Sequence, residues 1–165
     1  MPVIIKNNQV IEDLWTLLNA DAQLDQALQT QQIIVPLSLW QQHKSELQAV
    51  QQLGVWLEAD QAIENLIDDL AQFAVIALNF PVFTDGRHFS SARLLRERYA
   101  YTGEIRAIGD VFRDQMFFMQ RCGFDAYAIR ADCCPTDALK SLTELSVSYQ
   151  AAYDQNLPLY RRRSA

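Results

Sequence analysis

The sequence predicts an α/β fold, a mostly parallel sheet of βα units forming an open sheet or a half-barrel-like arc, with an N-terminal β-hairpin. Three observations predict it. From Leu53 onward, short apolar or β-branched runs alternate with amphipathic stretches, the pattern of βαβ units with right-handed crossovers. The run Phe73 to Leu78 is apolar throughout, as a strand covered on both faces requires. At the start, Val3-Ile4-Ile5 and Val10-Ile11 flank Asn7-Asn8, and paired asparagines tolerate the positive φ of a tight turn.

Each element follows from local signals. Asn19 to Gln32 reads as a helix with Leu24 and Leu28 one turn apart. Ile33-Ile34-Val35 reads as a strand stopped by Pro36, and Ser38 as the cap of a helix from Leu39 to about Gln52. A strand over Leu53 to Leu57 precedes a helix capped by Asp60, which carries Ile63, Leu66, Ile67 and Leu70 on one face as far as Ala71. Phe73 to Phe80 is the next strand, Ser90 to Tyr99 a helix, and Glu104 to Ile108 a short strand. Asp110 to Arg121 is helical, with Gly123 suited to the left-handed position past its end. Asp125 to Ile129 is a strand, and Pro135 to about Tyr153 the last helix. Four or five such units fit the chain. A (β/α) barrel with eight full units does not fit 165 residues.

Those 165 residues, half of them hydrophobic and 21% charged, are expected to form a single α/β domain over residues 1–165. The charge is uneven. Residues 1–79 carry two basic side chains against ten acidic ones, a balance of −8, whereas residues 80–165 carry twelve against ten, a balance of +2. Eleven of those twelve are arginine. A net charge of −6 argues against a nucleic-acid partner, which needs a basic face. No apolar run approaches the roughly 20 residues of a membrane span, and the start lacks the form of a signal peptide, so a cytoplasmic protein with no membrane partner is expected. Cys122, Cys133 and Cys134 then read as reduced thiols. With two histidines and no CxxC spacing, no metal or cluster site is expected, and no cofactor can be named.

In an open α/β sheet, ligands collect at the carboxyl ends of the strands. That rule selects Glu58 and Asp60, the loop Pro81 to His88, Gly109-Asp110 with Arg113 and Asp114, and Arg130, Asp132, Cys133 and Cys134. Asp85-Gly86-Arg87-His88 joins a buried strand to a helix start, where free N–H groups favour an anion. Arg87, Arg93 and Arg96, with Ser90, add donors for a small oxyanion. The same loop also reads as a tight turn in which Gly86 supplies a special φ and Asp85 pairs with Arg87. Asp110 is a natural N-cap. Across adjacent strand ends, Asp85 and Asp110 form a candidate acid–base pair, with Arg106 and Asp114 as further ligand-binding candidates. Glu104 and Arg106 share one face of their strand and pair if that face is buried. His88 reads as a solvated loop histidine or a proton carrier, and Arg161-Arg162-Arg163 as a mobile end.

The blocks Asn79-Phe80-Pro81, Asp85-Gly86-Arg87, Ser90, Ala92 to Arg98, Tyr101 to Val111, Asp114-Gln115 and Arg121 to Ala126 resemble a bacterial family of unknown function. Its members are commonly named as probable oxidoreductases involved in sulfite reduction and are often encoded beside assimilatory sulfite reductase and phosphoadenylylsulfate reductase. The resemblance covers essentially the whole chain and implies a place in sulfur assimilation. It assigns no catalytic role to any residue. His88 stands where the family shows a small residue. Six-electron reduction of sulfite requires haem, cluster or flavin relays, and the chain carries no ligand spacing or nucleotide fingerprint for them.

Three functions follow. The first is an accessory protein of assimilatory sulfite reduction, which binds a small anion or docks on sulfite reductase or another sulfur-assimilation protein. The second is a non-redox enzyme with Asp85 or Asp110 as acid or base. The third is a structural subunit of a homo-oligomer, in the simplest case a homodimer.

Overall fold

The computed structural model describes residues 2–29 and 31–163. The chain opens with the expected hairpin. Strand β1 (Val3–Lys6) and β2 (Gln9–Glu12) pair antiparallel, and Asn7 and Asn8 take φ of 49° and 60°, the conformation that fits a two-residue turn to the strand twist. Then follow β3 (Thr16–Leu17), helix α1 (Leu24–Leu28), β4 (Gln32–Pro36), the short helices α2 (Leu37–Gln42) and α3 (Lys44–Leu47), and β5 (Gln52–Leu57). A 3-10 segment, Ile63–Gln72, leads to β6 (Val75–Phe80). Helix α4 (Arg87–Glu97), β7 (Glu104–Gly109), α5 (Arg113–Cys122), β8 (Ala126–Tyr127), α6 (Pro135–Ser141) and α7 (Leu159–Arg162) complete the chain.

All eight strands form one curled open sheet in the order β2-β1-β8-β7-β6-β5-β4-β3, parallel from β3 to β8. The chain is indeed too short for eight βα units, but eight strands fit. Two of them come from the hairpin and two are only two residues long. The curl follows from connectivity. β2 and β3 are the two edges of the sheet, yet only Asp13, Leu14 and Trp15 join them. Eight strands laid flat would separate those edges by roughly 30 Å, and the link reaches at most about 14 Å.

The curl gives the sheet an outer and an inner face. Val55, Leu57, Ile76, Leu78, Phe80, Ile105 and Tyr127 point outward into the helix layer and form the main core. Ile34, Trp56, Val75, Ala77 and Ile108 point inward and form a second core, with Trp15 of the link packed against it. The inner face is tight at Gly54, where a Cβ would meet Ile34 Cγ1 at 3.0 Å and Val75 Cβ at 3.1 Å.

Several helices are shorter than the sequence implies. Over Asn19 to Gln32 only α1 forms, after a turn in which Ala22 N–H donates to Asn19 O; Thr30, in that stretch, lies outside the described residues. The expected helix from Leu39 to Gln52 breaks at His43 (φ −130°, ψ 38°) into α2 and α3, and Pro36 rather than Ser38 precedes its first turn. The stretch after Asp60 is 3-10 and starts at Ile63. Its three-residue repeat aligns Ile63 and Leu66 with Asp69, which accepts from Trp40 Nε1 at 3.0 Å. The helix expected from Pro135 to about Tyr153 ends at Ser141, as α6. Residues 142–158 run on without a long helix, held by the buried Arg121, which donates to Ser148 Oγ and to the Gln150 carbonyl. Arg161-Arg162-Arg163 is not a loose stretch, since Arg162 donates to the Ser148 carbonyl from within α7. Among the described residues no helix is long and apolar enough to cross a membrane.

Candidate functional site at the carboxyl ends of the strands

Four parallel strands deliver polar residues to one edge. Glu58 directly follows β5, β6 carries Asn79 before its last residue, β7 ends at Gly109 with Asp110 next, and the chain beyond β8 delivers Arg130. Glu58 and Asn79 lie on the inner side, at the mouth of the curl. Asn79 Nδ2 donates to Glu58 Oε2 at 2.7 Å. Gly109 lets this pair form. Its φ is +89°, and a Cβ there would collide with Asn79 Oδ1 and with the Phe80 carbonyl. Below the pair lies a cavity of about 330 Å³, walled by Leu17, Leu18, Trp56 and Ile108. Trp56 is fixed there by its Nε1–H donating to the Leu18 carbonyl at 2.9 Å.

His88 holds this arrangement from behind. It is 1% exposed, not solvated as its loop position implies. Its Nε2 lies 3.1 Å from the Glu58 carbonyl and its Nδ1 3.2 Å from Ser91 Oγ. A carbonyl only accepts, so Nε2 carries the hydrogen and Nδ1 accepts from the hydroxyl. Burial pushes the imidazole pKa below its ordinary value, which keeps the ring neutral. The side chain is thus a strut between α4 and the end of β5.

The outer rim is built on ion pairs. Asp85 receives Arg87 Nε at 3.0 Å and Nη2 at 2.6 Å, and this guanidinium pulls the Asp85 carboxyl down to about 2. Gly86 has φ −102° and supplies no special conformation; it lies directly before α4, and a Cβ would meet the Phe89 ring at 3.2 Å. Asp110 is not an N-cap, because α5 begins three residues later. Its Oδ2 accepts the Phe83 N–H at 3.0 Å and its Oδ1 accepts from Arg130 at 2.8 Å. Arg130 also binds Asp132 and lies over the Phe112 ring at 4.6 Å. Gln115 Nε2 donates to the Phe83 carbonyl at 2.9 Å. Phe83 is therefore held through both backbone groups while its ring, packed edge-on against Phe112, is 46% exposed.

The other candidates lie elsewhere. Ser90 is exposed on α4, and Asp114 is exposed in the first turn of α5, where it complements the helix dipole. Arg93 pairs with Glu97 one turn on, at 2.9 Å. Arg96 is buried at the opposite, amino edge of the sheet. There it donates to the carbonyls of Tyr101, Gly103 and Gly123 and to Asp125, and burial raises the Asp125 pKa. A wider cavity of about 520 Å³ opens beside it, yet the guanidinium is already spent on its own chain. Arg106 is 2% exposed on the inner face. As expected for a buried face, it pairs with Glu104 at 2.6 Å, and also with Asp13 at 2.9 Å. Neither Arg96 nor Arg106 reaches the carboxyl edge. Cys122 is buried, which raises its thiol pKa, and Cys133 and Cys134 are free in the loop before α6.

Residues 54–160 match the description of a bacterial protein family of unknown function, DUF934. The chain belongs to this family. The matched stretch starts within β5 and takes in Glu58, Asn79, the Phe83 loop, Asp110 and Arg130, so the carboxyl edge of this DUF934 chain lies almost wholly inside it. The hairpin, the link across the sheet and β3 lie outside it. No curated protein matches the chain.

The strand-end rule selects Glu58, Asp110 and Arg130 from sequence. It misses Asn79, although a polar residue interrupting the apolar run Phe73 to Phe80 is a legible signal. It also misses the burial of His88, which depends on where α4 lands.

Proposed function

We propose that this DUF934 chain is an accessory protein of assimilatory sulfite reduction that docks on a protein of that system, in the first instance sulfite reductase, through its carboxyl rim. One observation carries this reading. The exposed Phe83 ring is presented by a backbone clamped on both sides, by Asp110 and by Gln115. A rigid, exposed aromatic beside an exposed Val82 is the kind of anchor that dominates protein interfaces, because little ordering entropy is lost when it is buried. The place in sulfur assimilation is supported by the sequence resemblance of the central block.

The small-anion reading finds less support. Arg87 and Arg130 are neutralised by Asp85, Asp110 and Asp132, and Arg96 and Arg106 are buried away from the rim. Acid–base chemistry at Asp85 is likewise disfavoured, since a carboxyl held near 2 gives up its proton too readily to act as a general acid at neutral pH.

The test is a titration of purified sulfite reductase against this chain, wild type and Phe83→Ala. Docking predicts a saturable complex that weakens roughly tenfold or more in the variant, with unchanged thermal unfolding of the variant. Equal binding by both proteins, or no complex with the wild type, overturns it.

A further inference from the structure

The mouth cavity carries chemistry that the rim does not. Glu58 puts a carboxylate on its wall, and one oxygen of that carboxylate, Oε2, is occupied by Asn79. The other, Oε1, has no hydrogen-bond partner among the described residues. Nor does any cation among them neutralise Glu58: Arg87 is spent on Asp85, and Arg130 on Asp110 and Asp132. Asn79 is fixed by its fit against Gly109, and the Glu58 backbone by His88, so the carboxylate is held in place before anything binds. Leu17, Leu18, Ala20, Trp56 and Ile108 give the rest of the wall an apolar stretch, with Asn19 beside it. The volume of about 330 Å³ lies at the lower end of the range for small-molecule sites, roughly 300–1,000 Å³.

We infer that this mouth cavity binds a small primary ammonium compound with a short apolar arm, its ammonium group on Glu58 and its arm against Trp56 and Ile108. An ammonium donates three hydrogen bonds and accepts none. It therefore matches a carboxylate with an open oxygen, where an oxyanion would be repelled. Asp60, two residues further along the chain, adds a second carboxylate and favours a cation by the same sign. This site lies inside the curl and would fill whether or not Phe83 docks a partner outside it.

The test uses n-butylammonium chloride as the probe, with butyrate as the anionic control, read by nitrogen-15 NMR of the labelled full chain. The expected result is a saturable shift of the Trp56 indole N–H and the Asn79 side-chain amide, with a dissociation constant on the order of 1 mM, and no such shift with butyrate. Glu58→Gln keeps an acceptor for Asn79 and removes the charge, and it should weaken binding about tenfold. Asp132→Asn, on the rim, should leave binding unchanged. No saturable shift at these two side chains, equal response to butyrate, or equal weakening by Glu58→Gln and Asp132→Asn overturns the inference. Binding to the reductase by the Phe83 rim is scored separately and can survive that failure.

Discussion

Arg106 on β7 and Asp13 in the link between β2 and β3 meet at 2.9 Å across 93 residues of chain. The contact ties the middle of the sheet to the segment that joins its two edges. Glu104 binds the same guanidinium at 2.6 Å, and Lys6 on β1 lies 2.6 Å from Glu104, so hairpin, link and β7 share one buried network. Arg106 Nη2 is buried without a partner, so the network leaves part of its desolvation cost unmatched.

Breaking one partner of such a network leaves a buried charge uncompensated. Arg106→Met is expected to cost about 3–5 kcal/mol of unfolding free energy. Pairing it with Asp13→Asn and Glu104→Gln should recover a large part of that loss. Urea unfolding of the single and triple variants checks this. An Arg106→Met protein as stable as the wild type would mean that the link is held by Trp15 packing alone.

Stability should fall on mild acidification through His88. Burial lowers its folded pKa below 6.5, while the unfolded histidine takes its proton at that ordinary value, so protonation favours the unfolded chain. The contribution is complete above about pH 6.5 and is lost as pH falls from there toward the folded pKa, at up to about 1.4 kcal/mol per pH unit. Comparing unfolding of the wild type and His88→Gln at pH values on either side of that point should show a steeper dependence in the wild type.

The two left-handed glycines should respond unequally. At Gly109 an added Cβ meets the Phe80 carbonyl at 2.5 Å, and that backbone oxygen belongs to a central strand and cannot move aside. At Gly123 the nearest atom is Arg96 Cγ at 2.6 Å, a side-chain stem that gives way only by loosening its guanidinium's own bonds, whereas no backbone moves. Both substitutions strain a positive φ by about 1–3 kcal/mol. Gly109→Ala should lower the melting temperature more than Gly123→Ala, and it should also loosen Asn79.

Arg93 and Arg96 look alike in sequence and should behave differently. Arg96→Lys gives up a fork of donors shared among three carbonyls and Asp125, and at least about 2 kcal/mol should be lost. Arg93→Lys, on an exposed helix face, should stay within about 0.5 kcal/mol of the wild type. Calorimetric melting of both variants separates the two.

That contrast marks the limit of what the chain reveals unaided. Hairpin, parallel strands and the Gly123 helix end are legible because each rests on neighbours in sequence: Asn7-Asn8 with its flanking β-branched residues, the unbroken run Phe73 to Leu78, and a glycine past an apolar helix. The curl is legible only as one of two options, a half-barrel-like arc beside an open sheet, because the choice depends on β2 and β3 being opposite edges joined by three residues, and strand order is a property of the whole sheet. The site divides in the same way. Strand-end position places Glu58, Asp85 and Asp110 on one edge. Whether an arginine is free or spent depends on partners far along the chain, such as Asp125 for Arg96 and Asp13 for Arg106.

Docking through the rim is tested most directly by hydrogen–deuterium exchange of this chain with and without purified sulfite reductase. Slowed exchange confined to residues 81–88 and 110–115, and absent with Phe83→Ala, is the predicted result. Protection around Arg96 and Gly123 at the amino edge instead, or no protection anywhere, would contradict it.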